Sequence, residues 1–398
     1  MSPRDPDTKR QTGTDAQALA ATLLGGLLRR CVELDASDIH LSEGMPPYLR
    51  TQGPLEVLPD EPPLEHEAMV SIVDSLSSGF SQRGTGSVDG AFTAPDGTRY
   101  RFNLYWRSGG LAVALRRLEE RFRSLGELGL PESLYDLCNL PYGLVLVSGP
   151  TGSGKSTTLA TLIDRINQSH ACHVITIEDP IEYIHRSSRA LVNQRQVGMD
   201  TDSFNDALVN SLREDPDVVL VGEIRDTDTI RTAITAAETG HLVLASVHAG
   251  DAVSTIERVV GVFPADEQVS IRQQLALVLR SVVSQRLMIA DGTPDHAGHS
   301  QAMARQRVVA SEVLMVTPAV SNLLLSSKSG QIYSCMEAGA GYGMQTFEQD
   351  LARLLIAGQL SERSAAAAAK RPEVLRARVE QLSRMKTKTR TAGKSAVR

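Results

Sequence analysis

The chain reads as an α/β protein: a small N-terminal α/β domain, then a larger domain on a parallel sheet, with a C-terminal helical portion. Three observations predict this. Residues 149–156 form a complete G-x-x-x-x-G-K-[ST] loop. Four short apolar runs, Leu144–Val147, Val174–Ile177, Val218–Val221 and Leu242–Ala245, alternate with helical segments, as parallel strands buried on both faces do. Residues 98–107 alternate with period two, as in a sheet with one buried face.

From the N-terminus, residues 1–15 are polar with both charge signs; they predict disorder and no signal peptide. Residues 16–118 form the first domain. Its opening helix spans 16–34, with Leu19, Leu23, Leu24, Leu27 and Leu28 on one stripe. Short strands follow near 39–41 and 48–50, then a Pro-rich loop over 54–63 and a helix over 65–76. Residues 77–90 are polar and rich in Gly and Ser. In the alternating strand, Tyr100, Phe102, Leu104 and Trp106 share one face. Arg99, Arg101, Asn103, Tyr105 and Arg107 share the other, and a partner strand over 111–118 ends in Arg116-Arg117. Residues 119–130 are charged and suit a linker.

Residues 131–365 form the second domain. The apolar run 144–147 leads into the glycine-rich loop. Leu159, Leu162, Ile163 and Ile166 behind it have helical spacing. Strand, loop and helix give the phosphate-binding context. Gly149, Gly152 and Gly154 give backbone freedom, and the loop from Gly149 through Pro150, Thr151, Gly152, Ser153 and Gly154 can cradle phosphate oxygens with its N–H groups. Lys155 can reach the β- and γ-phosphates, Ser156 can ligate Mg²⁺, and Thr157 continues the motif. The expected ligands are therefore ATP and Mg²⁺.

Each apolar run ends in a polar group: the loop, Glu178-Asp179, Glu223, and Ser246 with His248. Ligands gather at the carboxyl ends of parallel strands, so these endings are expected to meet. A common Walker B strand ends in Asp-Glu; here Gly222 stands at the Asp position and Glu223 remains. Glu223 is the candidate base or water-orienting group. Glu178 is the candidate helper for water and a second candidate for the metal. His248, and less directly His241, can donate to a γ-phosphate. His40, His173 and His185 default to structural roles. Arg101 and Arg116 are either a solvated sheet face or charge-neutralising groups at a nucleotide of their own or an adjacent subunit. Beyond 264 the chain is expected to be mostly helical, over 264–289, 318–326 and 345–357, with a polar loop at 291–305.

The net charge is −6. Residues 370–398 carry ten Lys/Arg against two Glu, a local +8, so the remainder carries −14. Residues 366–398 are thus expected to be a basic tail. The acidic body is a poor platform for nucleic acid, so no nucleic-acid partner is expected and a helicase on a RecA-like core is disfavoured. No apolar run approaches the ~20 residues of a membrane span. Cys31, Cys138, Cys172 and Cys335 lie far apart, which argues against a zinc knuckle or disulfide framework and fits a reducing cytoplasm.

These motifs together resemble the type IV pilus and type II secretion ATPases, and within them the PilT-type retraction motors. The matching pieces are GPTGSGKSTT at 149–158, ITIEDPIEY at 175–183, LREDPDVVLVGEIRD at 212–226 and TAAETGHLVLASVHAGDAVSTIERVVGVFP at 235–264, with ASDIHLSEGMPPYLRTQGPL at 36–55 and Tyr342–Thr346. The resemblance spans roughly residues 16–365. It implies a PAS-like first domain and a RecA-like ATPase domain. It implies a homo-hexamer with nucleotide at subunit junctions, the first domain of one subunit packing on the next. Phosphate and Mg²⁺ would fall to Lys155, Ser156 and Thr157. Glu178 would belong to an acidic box, Glu223 would be the Walker B glutamate and His248 the histidine-box residue. Arg101 and Arg116 match the arginine positions of the first domain. The implied function is pilus retraction and twitching motility, driven from the cytoplasmic face of the inner membrane through a platform protein. Two departures stand out. Residues 319–326 read AVSNLLLS where retraction motors carry A-I-R-N-L-I-R-E, and Ala249-Gly250 replace a frequent pair of threonines. The alternatives are a conjugation or type IVB secretion ATPase, and a weakly active accessory subunit beside a paralogous pilus ATPase.

Overall fold

A computed structural model describes residues 23–51, 54–58, 60–118, 121–290 and 307–395, with side chains through Arg384. The sequence expectations for 1–15 and 291–305 lie outside the described residues, as does the start of the first helix. The described chain divides into two compact units. One runs up to Arg121 and includes Pro180–Ile184; the other comprises Phe122–Asp179 and the chain from His185 onward.

In the first unit, helix α1 (residues 23–33) is followed by β1 (Asp38–Ser42), β2 (Tyr48–Arg50), β3 (Leu55–Val57), α2 (His66–Leu76), β4 (Ser87–Thr93), β5 (Arg99–Arg107) and β6 (Gly110–Arg117). The strands form one sheet in the order β3-β2-β1-β6-β5-β4, antiparallel throughout. The alternation in β5 decides its faces. Tyr100, Phe102 and Leu104 are buried in a core with Leu24, Leu27 and Leu28 of α1 and Met69, Ile72 and Val73 of α2. The odd-numbered residues point the other way. β4 begins inside the polar stretch 77–90, where Gly and Ser mask its pattern.

The second unit carries β7 (Gly143–Ser148), α3 (Lys155–Ser169), β8 (His173–Glu178), β9 (Leu191–Gln196), α4 (Phe204–Ser211), β10 (Val218–Val221), α5 (Thr227–Glu238), β11 (Leu242–Val247), α6 (Ala252–Gly261), α7 (Gln268–Val278), β12 (Leu279–Ile289), β13 (Arg307–Met315), α8 (Pro318–Leu325), α9 (Ile332–Ala338), α10 (Phe347–Ile356), α11 (Glu362–Ala368) and α12 (Pro372–Ser395). The sheet order is β13-β12-β7-β11-β10-β8-β9. Only the β12–β13 pair is antiparallel; the rest are parallel. β7, β10 and β11 are buried at every position, because helices cover both faces.

Several expectations are corrected. The helix expected over 264–289 stops at Val278, and Leu279–Ile289 is β12. Helix and strand adjoin without Gly or Pro between them, so the apolar run carries no boundary mark. β12 pairs with β7 and β13, and those ladders outweigh local helical preference. β9 and β13 were also missed. The stretch expected as a linker contributes Leu125 and Leu130 to the second unit's core. The region expected as a basic tail is partly folded: Leu375 of α12 is buried against Phe347, Leu351 and Leu354 of α10. The departing segment 319–326 still forms a packed helix, with Val320 and Leu324 buried.

Candidate functional site

Parallel pairing sets the site. Val247 of β11 pairs with Ser148 of β7, Ala245 with Val221 of β10, and Val221 with Ile177 of β8. Gly149, His248, Glu223 and Glu178 therefore all emerge at the carboxyl edge of four adjacent strands. At its first residue the loop requires glycine: Gly149 has φ +152°, and a Cβ there would lie 2.4 Å from both the Gln285 carbonyl and Ser153 Oγ.

The start of α3 suits an anion. α5 and α6 follow β10 and β11 at the same edge, and each opens on a capping aspartate, Asp226 and Asp251. α3 opens on Gly154 with no side-chain cap and no acid in its first turn. Its N–H groups and the positive end of its dipole are left to an external acceptor. Lys155, 8% exposed, donates from Nζ to the carbonyls of Gly149 at 3.0 Å and Pro150 at 3.1 Å. The ammonium thus rests over the loop it serves. Ser156 follows in the first turn, beside the place a phosphate would take. This donor set fits a nucleotide, and Ser156 is the residue that would hold an accompanying divalent metal, which would neutralise phosphate charge. No cluster of three or more His, Cys, Asp or Glu side chains suited to a metal occurs among the described residues.

Gly222 explains the altered Walker B strand. A Cβ there would sit 3.0 Å from the Ile177 carbonyl and 3.3 Å from Glu178 Cα, while Gly222 N–H donates to Ile177 O at 2.7 Å. A side chain there would force the neighbouring strand to give by a few tenths of an ångström. Just beyond, both carboxylate oxygens of Glu223 are engaged. Oε1 lies 3.0 Å from His248 Nε2, and Oε2 accepts from Arg225 Nη2 at 2.6 Å. Burial raises the Glu223 pKa, but Arg225 and His248 together outweigh it and hold the carboxyl below its ordinary value. Glu178 accepts from Thr176 Oγ1 at 2.7 Å and Gln194 Nε2 at 3.1 Å, so a neighbouring strand fixes its orientation.

His241 does not join this group. It stands at the amino end of β11, with Nδ1 2.9 Å from the Ala236 carbonyl at the end of α5, and its own carbonyl accepts from Gly143 N–H. His185 is buried against the Phe122 ring at 4.7 Å, and burial lowers its pKa to about 4. Arg225 was missed in the sequence. It lies two residues beyond Glu223, a spacing that returns to the same side of an extended chain. In the first unit, Arg101 and Arg116 face each other as a cross-strand pair on the side away from the core.

Among the described residues no helix is long and apolar enough to cross a membrane. Residues 99–350 match the Type II/IV secretion system protein family. A Pseudomonas aeruginosa protein described as type IV pilus retractation ATPase PilT is 41% identical over 350 residues, 87% of this chain and 98% of that one. The type IV pilus ATPase PilU of the same organism is 37% identical, covering 86% of this chain and 87% of its own. The crystal structure of the pilus retraction motor PilT with bound ADP is similar at TM-score 0.79 and 40% identity, over 88% of this chain and 97% of that chain.

Proposed function

The chain belongs to the Type II/IV secretion system protein family, and from that premise we propose that it is an ATP-hydrolysing motor of type IV pilus retraction. One observation carries the reading: a phosphate loop with an uncapped helix start, Glu178, Glu223 and His248 share the carboxyl edge of one parallel sheet. The motor works as a homo-hexamer at the cytoplasmic face of the inner membrane. It acts there on a platform protein and leads to twitching motility.

In this reading the α3 N–H groups and Lys155 hold the β- and γ-phosphates. Ser156 holds Mg²⁺, which when bound neutralises phosphate charge. Glu223 orients the attacking water. Its depressed pKa keeps it ionised at neutral pH and makes it a weak proton acceptor, so positioning outweighs proton removal. His248 and Arg225 hold it until the nucleotide's phosphates compete for His248. Glu178 supports the same water and metal. Arg101 and Arg116 neutralise transition-state charge at an adjacent subunit's nucleotide. Differential affinity of two junction states for ATP and ADP supplies the movement.

Glu223→Gln removes the charge and keeps the shape. It is expected to bind ATP normally while hydrolysing it at least about tenfold more slowly. Near-normal turnover by the assembled variant would sink the assignment.

A further inference from the structure

Arg101 on β5 lies directly opposite Arg116 on β6, and like charges so placed repel and destabilise the pair. The row continues across the sheet. Arg116 faces Asp38 on β1, and Asp38 faces Arg50 on β2. One acid thus stands among three arginines on four consecutive strands. β1 and β6 are the two central strands, bonded on both sides and so the least free to shift.

Asp38 is 6% exposed, whereas the Arg116 side chain is 67% exposed. The two carboxylate oxygens are divided. Oδ1 accepts from Arg116 Nε at 2.8 Å, and Oδ2 accepts from Ser37 Oγ at 2.7 Å. Arg50 Nε stays 4.0 Å from Oδ2. A bond through Nε fixes the plane and direction of a guanidinium without using its outer Nη edge. The two Nη groups of that edge remain able to grip phosphate oxygens as a pair. A buried carboxylate held on one side by a serine is a rigid anchor, and a long arginine without one samples many rotamers.

We propose that Asp38 is a positioning residue: it clamps Arg116 by Nε so that its outer edge, beside Arg101, is presented to the phosphate groups of ATP. The proposal rests on the reading of Arg101 and Arg116 given under Proposed function. Asp38 touches no substrate and acts through Arg116 alone.

The test is a double-mutant cycle on ATP turnover of the assembled protein, with wild type, Asp38→Asn, Arg116→Ala and the double variant. Asparagine keeps the size and the serine partner but removes the charge. Asp38→Asn is expected to lower kcat about tenfold with little change in KM, Arg116→Ala to lower it further, and the double variant to match Arg116→Ala. Losses that multiply in the double variant would overturn the proposal, because Asp38 would then act independently of Arg116. Normal turnover by Arg116→Ala would overturn the arginine reading itself, and the proposal with it. Ser37→Ala guards against misfolding of Asp38→Asn. It loosens the same anchor, and its smaller loss of kcat should also vanish in the Arg116→Ala background; persistence there would contradict the proposal.

Discussion

Replacing Glu312 with glutamine should stabilise the protein above neutral pH and leave it unchanged in acid. Glu312 stands on β13, 3% exposed. It accepts the Ala252 N–H, the first residue of α6, at 2.9 Å. Burial raises its pKa from the ordinary 4.5 to about 7, the neighbouring Glu348 adds to this, and the Ala252 N–H and Arg371 oppose it. The folded state therefore holds the proton more tightly than the unfolded chain. Raising the pH from about 4.5 to 7 then removes stability, and integrating over that interval gives about 3 kcal/mol. Glutamine presents a similar carbonyl to Ala252 and never ionises. Denaturant unfolding of the nucleotide-free protein from pH 4 to 8.5 reads the difference. The variant is expected to equal wild type at pH 4, below the unfolded pKa, and to exceed it by up to about 3 kcal/mol at pH 8.5. A variant less stable than wild type at pH 8.5 would refute the reasoning. It would mean that the ionised carboxylate at the start of α6 gains more from the helix dipole than burial costs it.

Two other substitutions probe the packing. Gly222→Asp restores the acid common at that position, but its Cβ would press on the Ile177 carbonyl at 3.0 Å; it should destabilise the protein by about 1–3 kcal/mol without raising turnover, and a stable variant would mean β8 and β10 can part freely. Leu375→Ala empties a buried site against α10 and should cost about 2–5 kcal/mol in unfolding experiments; an unchanged midpoint would show that α12 does not share the fold's cooperativity.

Buried parallel strands were the most legible part of the fold. β7, β8, β10 and β11 each announce themselves as an apolar run with a turn beyond it, and the loop at 149–156 orders them. The antiparallel margin of that sheet was not legible. β12 carries Arg280, Ser281, Ser284, Gln285 and Arg286 among its apolar residues, and it begins where α7 ends, so neither composition nor punctuation separates strand from helix. β9, LVNQRQ, is a polar edge strand, recognisable only from its pairing with β8.

The candidate site divides in the same way. The placement of Glu178, Glu223 and His248 at one sheet edge is legible because each ends a readable strand. That of Arg225 is not, because its role depends on a carboxylate two residues away rather than on a strand end. The cation that holds Glu223 and the acid that holds Arg116 are contacts, and contacts of that kind carry no local sequence signature. Residues 370–398 read as a tail from their charge, and the apolar positions Leu375, Val379 and Leu382 that pack there are outweighed by the surrounding arginines.

The central claim is that hydrolysis belongs to assembled subunits using this loop and these acids. ATP turnover per subunit, measured across protein concentrations that span ring assembly with Lys155→Ala as the blank, tests it most directly. The account expects turnover to rise cooperatively as rings form and the blank to stay flat. Rings that bind nucleotide without hydrolysing it, or turnover per subunit that ignores assembly, would contradict it.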